Sequence, residues 1–151
     1  MRKFFYLLMC LVGIVCNVQC TGRNTSQINF PENRWYQSDV LELKYTPSTP
    51  TKPKEISIKL SYVHGFQFTE IPLELYITSP THQIESLPFT LKLFDKNLNE
   101  KGDCIGDYCD IDYTIKSDYV FSQEGVYTIQ VLNTFQHTYL PNVFSAEIIV
   151  E

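Results

Sequence analysis

Apolar residues recur at every second position through most of this chain. Leu41, Leu43 and Tyr45 are separated by Glu42 and Lys44, and Ile56, Ile58, Leu60 and Tyr62 by Ser57, Lys59 and Ser61. The same beat runs through Leu73, Leu75 and Ile77, through Phe89, Leu91 and Leu93, through Tyr127, Ile129 and Val131, and through Phe144, Ala146, Ile148 and Val150. A period of two sends one set of side chains to each face of a sheet, so each run reads as a half-buried strand. Such strands belong to antiparallel sheets. Weaker strands are expected around residues 111–115 and 119–121. No stretch of ten residues carries apolar side chains at helical spacing. Aromatics are 14% and charged residues only 19%, which excludes a disordered chain and is unlike a helical bundle. Pro47, Pro50 and Pro53 make residues 46–54 a stiff connection, while Pro72, Pro80, Pro88 and Pro141 stand at the edges of runs. Gly102, Gly106 and Gly125 mark turns. The fold expected is all-β: an antiparallel β-sandwich of about seven or eight strands, immunoglobulin-like or jelly-roll in type.

The N-terminus follows different rules. Arg2 and Lys3 precede an apolar run over residues 4–16, then the polar end Asn17-Val18-Gln19-Cys20. This is the layout of an export signal. Thirteen helical residues would span about 20 Å, short of a hydrocarbon core of about 30 Å. A lipoprotein signal is cut just before the cysteine that receives the lipid, so Cys20 is the expected lipidation site, with Cys16 second. Gln19 and Val15 precede them where a small residue is usual. An uncleaved anchor and ordinary cleavage after Cys20 are the other readings. The expected organisation is a signal over residues 1–20, a polar tether over 21–34, and one sandwich domain over 35–151. Asn24-Thr25-Ser26 would be a glycosylation sequon in a eukaryotic source. Residues 1–20 hold two bases and no acid, so the rest carries seventeen acids against ten bases, a net of −7. That charge argues against a nucleic-acid partner.

Cys104 and Cys109 are the only cysteines beyond the signal. In an oxidising compartment they are expected to form a structural disulfide; free thiols are the alternative. Their spacing is wrong for a thioredoxin-type pair, and no further Cys or nearby His completes a zinc site, so no metal is expected. Asp95, Asn97, Asn99, Asp103, Asp107, Asp110 and Asp112 crowd one stretch. Glu100 stands where a calcium loop needs its glycine, and Gly106 where it needs its bidentate acid, so a polar turn is the reading. His64, His82 and His137 occupy separate segments, paired by no spacing with a nucleophile. No phosphate loop, zinc-protease or nucleophile-elbow motif occurs. No catalytic residue, cofactor or enzymatic activity is therefore expected. Trp35, Tyr36, Phe66 and Phe68 are expected to pack in the core; exposed, they would suggest a ligand face.

The order of features resembles a known family. A lipoprotein-like signal precedes Trp35 and Asp39. His64-Gly65-Phe66-Gln67-Phe68-Thr69-Glu70-Ile71-Pro72-Leu73 follows the second strand. Phe94-Asp95 leads to Ile105-Gly106-Asp107, then Phe121 and Gly125-Val126-Tyr127, and the chain ends on an apolar strand closing with Glu151. Over nearly its whole length this is similar to the gliding-motility lipoprotein family GldH of the Bacteroidota. The Cys104/Cys109 pair and Leu140-Pro141-Asn142-Val143 depart from that pattern. The resemblance implies a non-catalytic envelope lipoprotein associated with gliding and type IX secretion, bound to a membrane through its N-terminal lipid and to envelope proteins through its surface. The absence of an acidic run after Cys20 points to the periplasmic side. The competing expectation is a secreted sandwich that binds carbohydrate or lipid.

Overall fold

The computed structural model describes residues 24–151, so the export signal, Cys16 and Cys20 lie outside the described residues. Eleven strands follow in order: β1 Asn24–Asn29, β2 Arg34–Tyr36, β3 Leu41–Tyr45, β4 Pro53–Val63, β5 Glu70–Thr78, β6 Ile84–Lys92, β7 Asp103–Ile105, β8 Tyr108–Val120, β9 Tyr127–Asn133, β10 Tyr139–Pro141 and β11 Val143–Val150. A five-stranded sheet, β1-β11-β4-β8-β7, faces a four-stranded one, β3-β9-β5-β6, and β10 and β2 form a small ribbon. Every pairing is antiparallel. Within the two main sheets only the β5–β6 and β7–β8 hairpins join neighbours; each other step changes sheet.

The alternating residues meet between the sheets. Ile56, Ile58, Leu60 and Tyr62 of β4 are fully buried, as are Ala146 and Ile148 of β11. They face Ile71, Leu73 and Leu75 of β5 and Ile129 and Val131 of β9. Each Ile, Leu and Val among these contributes roughly 1.5–3 kcal/mol by leaving water.

Three expectations need correction. The tether does not extend to residue 34: Asn24–Asn29 is a strand paired with β11 from Asn24↔Val150 to Asn29↔Ser145. Phe30 is buried and stacked on Trp35, with ring centroids 4.9 Å apart. Only Ile28 in β1 is apolar, so the strand has no period to read; it forms because β11 offers it a row of backbone partners. The strand count exceeds seven or eight because β1 and the three-residue pieces β2, β7 and β10 add to the expected runs, even though the two weak strands expected over 111–121 merge into one long strand, β8. Pro72 and Pro88 lie inside β5 and β6, not at their ends. β6 is a sheet edge, where a missing N–H costs little, and Pro72 lies just beyond the β5–β9 ladder.

Candidate functional site

The β7–β8 hairpin turns on Gly106 and Asp107. Gly106 has φ +63° at the first central position, which a glycine occupies without strain. Cys104 and Cys109 are directly opposed in the ladder, with Cα atoms 4.0 Å apart, and are joined by a disulfide. Cys109 is buried in the core, whereas Cys104 faces solvent. At the tip Ile105 is 86% exposed and Tyr108 61% exposed. Tyr108 stacks on Phe144 of β11, centroids 4.4 Å apart, on the outer face of the five-stranded sheet. His64 N–H donates to Asp107 O at 3.0 Å, which ties the β4–β5 loop to the hairpin.

That tie brings together residues that spacing kept apart. His64 Nε2 lies 3.3 Å from Glu100 Oε2, and Gly65 N–H approaches the same oxygen at 3.4 Å. The ligand atoms of His64, Glu100 and Cys104 all lie within 4.8 Å of one another. Sequence spacing places no histidine near the cysteines; sheet register and the β4–β5 loop supply His64. Below this cluster Tyr62 Oη and Glu100 Oε1 are both enclosed, and neither has a hydrogen bond of good geometry. Burial first, and then the Glu100 carboxylate, hold the Tyr62 hydroxyl well above the ordinary tyrosine range. No room remains at Gly102, where a Cβ would collide with Tyr62 Oη.

The acidic stretch divides into unrelated parts. Asp95 Oδ1 accepts from the N–H groups of Asn97 and Asn99, at 2.7 and 2.9 Å, and Oδ2 accepts from Asn99 Nδ2. The Asn99 hydrogen bonds, side chain first, hold its carboxyl below the usual range. This is an Asx-type turn whose oxygens serve their own loop. Asp110 belongs to the sheet face: Oδ1 accepts from Ser61 Oγ at 2.5 Å and Oδ2 pairs with Lys59 Nζ at 3.0 Å. Burial pushes its carboxyl up, and these two partners outweigh it and hold it low. A groove of about 410 Å³ runs past Lys59, Lys101, Asp103, Ile105, Asp110 and Asp112. A second, of about 230 Å³, lies at the other end, beside Glu85, Gln123 and Tyr119. Burial, followed by Glu85, pushes the Tyr119 hydroxyl up to about 12. Neither groove contains a histidine or a cysteine.

Most aromatics are structural. Trp35 is fully buried and its Nε1–H donates to Asp39 O at 2.9 Å, while Asp39 Oδ2 accepts from Tyr36 N–H. Asn133, the buried polar residue here, donates from Nδ2 to Trp35 O and accepts from Phe135 N–H, both at 2.8 Å. Phe66, Phe68 and Phe135 pack in series beside it. His82 sits in the β5–β6 turn with φ +63°, and His137 packs on Phe135. Among the described residues no serine hydrogen-bonds a histidine.

Fold and site together define a β-sandwich module that presents a clamped hairpin and a small ionic cluster at one end. The model of the GldH lipoprotein family matches residues 24–148, and the chain belongs to that family. Among curated proteins no relative matches. Solved structures are similar only in outline. A non-crystalline-cellulose-specific carbohydrate-binding module, CBM28, is 8% identical at a TM-score of 0.43, covering 82% of this chain and 69% of that one. The CBM36-1 domain of a multidomain xylanase from the hindgut metagenome of Trinervitermes trinervoides is 13% identical at 0.41, covering 84% and 96%. Dimeric latent PorU from Porphyromonas gingivalis is 11% identical at 0.29, covering 85% of this chain and 13% of that one.

Proposed function

We propose that this chain is a non-catalytic envelope lipoprotein, lipidated on Cys20, that faces the periplasm and acts through protein contacts in gliding or type IX secretion. The observation that carries the reading is the GldH family match over residues 24–148, starting just beyond Cys20. The first strand sharpens it. β1 begins at Asn24, so the step from Cys20 spans at most about 14 Å of extended chain. A lipid on Cys20 therefore holds the Asn24 end of the sandwich close to the bilayer. Asn24 pairs with Val150 and Val150 with Ile56, whereas Cys109 pairs with Tyr62 at the far end of β4. Six residues of strand separate those ends, about 20 Å. The disulfide hairpin then points away from the membrane, where a partner reaches Ile105 and Tyr108.

Membrane fractionation tests the anchor. Cys20→Ala should move the protein to the soluble fraction, and mass spectrometry of the native N-terminus should show an acylated cysteine. Membrane association surviving both Cys20→Ala and Cys16→Ala would end the lipoprotein reading. One observation favours a second reading, a saccharide-binding module. Tyr108, stacked on Phe144, stands two residues along β8 from Asp110 with its Ser61 and Lys59 partners, and sugars offer a C–H face to an aromatic ring and hydroxyls to polar groups. Glycan binding lost in Tyr108→Ala would support it. A lipid cavity between the sheets has no support, because the inward side chains of both sheets are packed together.

A further inference from the structure

We propose that His64, Glu100 and Cys104 form a zinc site that the Cys104–Cys109 disulfide keeps closed and that reduction opens. The residue types are the nitrogen, oxygen and sulfur donors zinc selects. Three separate segments deliver them: the β4–β5 loop, the β6–β7 connection and β7. Bond lengths of about 2.0–2.3 Å in a tetrahedron place neighbouring ligand atoms about 3.5 Å apart. The 3.3 Å between His64 Nε2 and Glu100 Oε2 meets that spacing. Cys104 Sγ is within 4.8 Å of both and, once released, closes the remaining gap by side-chain rotation.

An independent observation lies beneath the cluster. Tyr62 is fully buried, its hydroxyl has no well-formed hydrogen bond, and the neighbouring Glu100 carboxylate, which acts on that hydroxyl, holds one oxygen in the same condition. With Oε2 on a metal, Oε1 is left to accept from Tyr62 Oη, the kind of outer hydrogen bond that orients a ligating carboxylate. A metal would thus draw both atoms into one bonded chain.

The redox step balances. A dithiol transfers two electrons and two protons to the protein: the Cys104–Cys109 bond breaks, a disulfide forms in the reductant, and two thiols remain. Zinc then displaces the Cys104 proton to solvent, since the thiolate is the ligand. Cys104 is the exposed sulfur of the pair, so the reductant has a point of attack, and the three-pair β7–β8 ladder remains after the bond opens. The fourth position falls to water or to a partner's side chain.

Zinc binding by the full chain in detergent, competed against a chromophoric chelator, tests this. Cys109→Ser leaves a thiol at residue 104 without any reductant. It should bind one zinc at least tenfold more tightly than the oxidised wild type, and with cobalt it should show sulfur-to-metal charge transfer and tetrahedral d–d bands. Cys104→Ser, which leaves the buried thiol at residue 109, should bind no better than oxidised wild type. His64→Ala in the Cys109→Ser background should lose the gain. Phosphine-reduced wild type should match Cys109→Ser, and it decides the matter if that variant does not fold. Equal binding by Cys104→Ser and Cys109→Ser, or no gain in reduced wild type, overturns the proposal.

Discussion

Gly102 and Asn133 hold places where chemistry leaves no alternative. A Cβ on Gly102 would meet Tyr62 Oη and stand 3.0 Å from Asp110 O. Gly102→Ala should therefore destabilise the domain by about 1–3 kcal/mol, as overpacking does. Gly65 has a positive φ and open space around it, so Gly65→Ala should cost only about 1 kcal/mol. Urea midpoints of the two variants check the ranking. Asn133→Ala would leave Trp35 O and Phe135 N–H without their partner, at about 1–3 kcal/mol for each unsatisfied buried group, measurable in the same titration. The tyrosines predict behaviour in alkali. Burial raises the folded-state pKa of both Tyr62 and Tyr119, the latter to about 12, against 10.0 in the unfolded chain. The fold thus holds protons that the unfolded chain releases. This stability is complete below pH 10 and lost as pH climbs from there towards 12. Urea midpoints at pH 8 and pH 11 should show that fall, and Tyr62→Phe should shrink it. Because its hydroxyl lacks a good partner, the same change should be nearly neutral at pH 8.

β1 and the disulfide hairpin contribute in different ways. Removing residues 24–29 exposes the β11 edge along six paired positions and uncovers Phe30 beside it. An unpaired edge of Ala146, Ile148 and Ile149 invites pairing with another copy, so the truncated chain should self-associate in sedimentation while the wild type does not. The disulfide closes a short loop and should contribute only about 2 kcal/mol, so reduction should shift the unfolding midpoint without abolishing cooperative unfolding. The hairpin itself was partly legible in sequence: Gly106 and Asp107 between two short runs are turn chemistry. β1 was not, because Asn24-Thr25-Ser26-Gln27-Ile28-Asn29 carries a single apolar side chain. A polar edge strand is specified by the backbone groups of its neighbour, and those lie more than a hundred residues away in the chain.

At the level of the whole molecule, the proposed lipidation at Cys20, taken with the register of β4, predicts a membrane end and a presenting end. Crosslinking from a photoreactive residue at position 105 should capture protein partners, and the same probe at position 118 should capture fewer; equal capture would remove the oriented reading. Period-two alternation suffices to specify two apolar faces and hence a sandwich, because which way a side chain points is set by local strand geometry. The Trp35–Asp39 element is visible as a family feature, yet its work as a turn that fixes the buried Trp35, whose carbonyl accepts from Asn133, appears only when β2 and β9 lie together. The same holds for the cluster at the hairpin. Alternation places Tyr62 inward, and composition suggests that Cys104 and Cys109 pair. Nothing local places His64 and Glu100 at Cys104; the β4–β8 register, the Phe94–Glu100 bridge and the His64–Asp107 hydrogen bond do so. Those are contacts between distant segments, whose partners are chosen by closure of the sheets and satisfaction of backbone groups, and neither leaves a period in the chain.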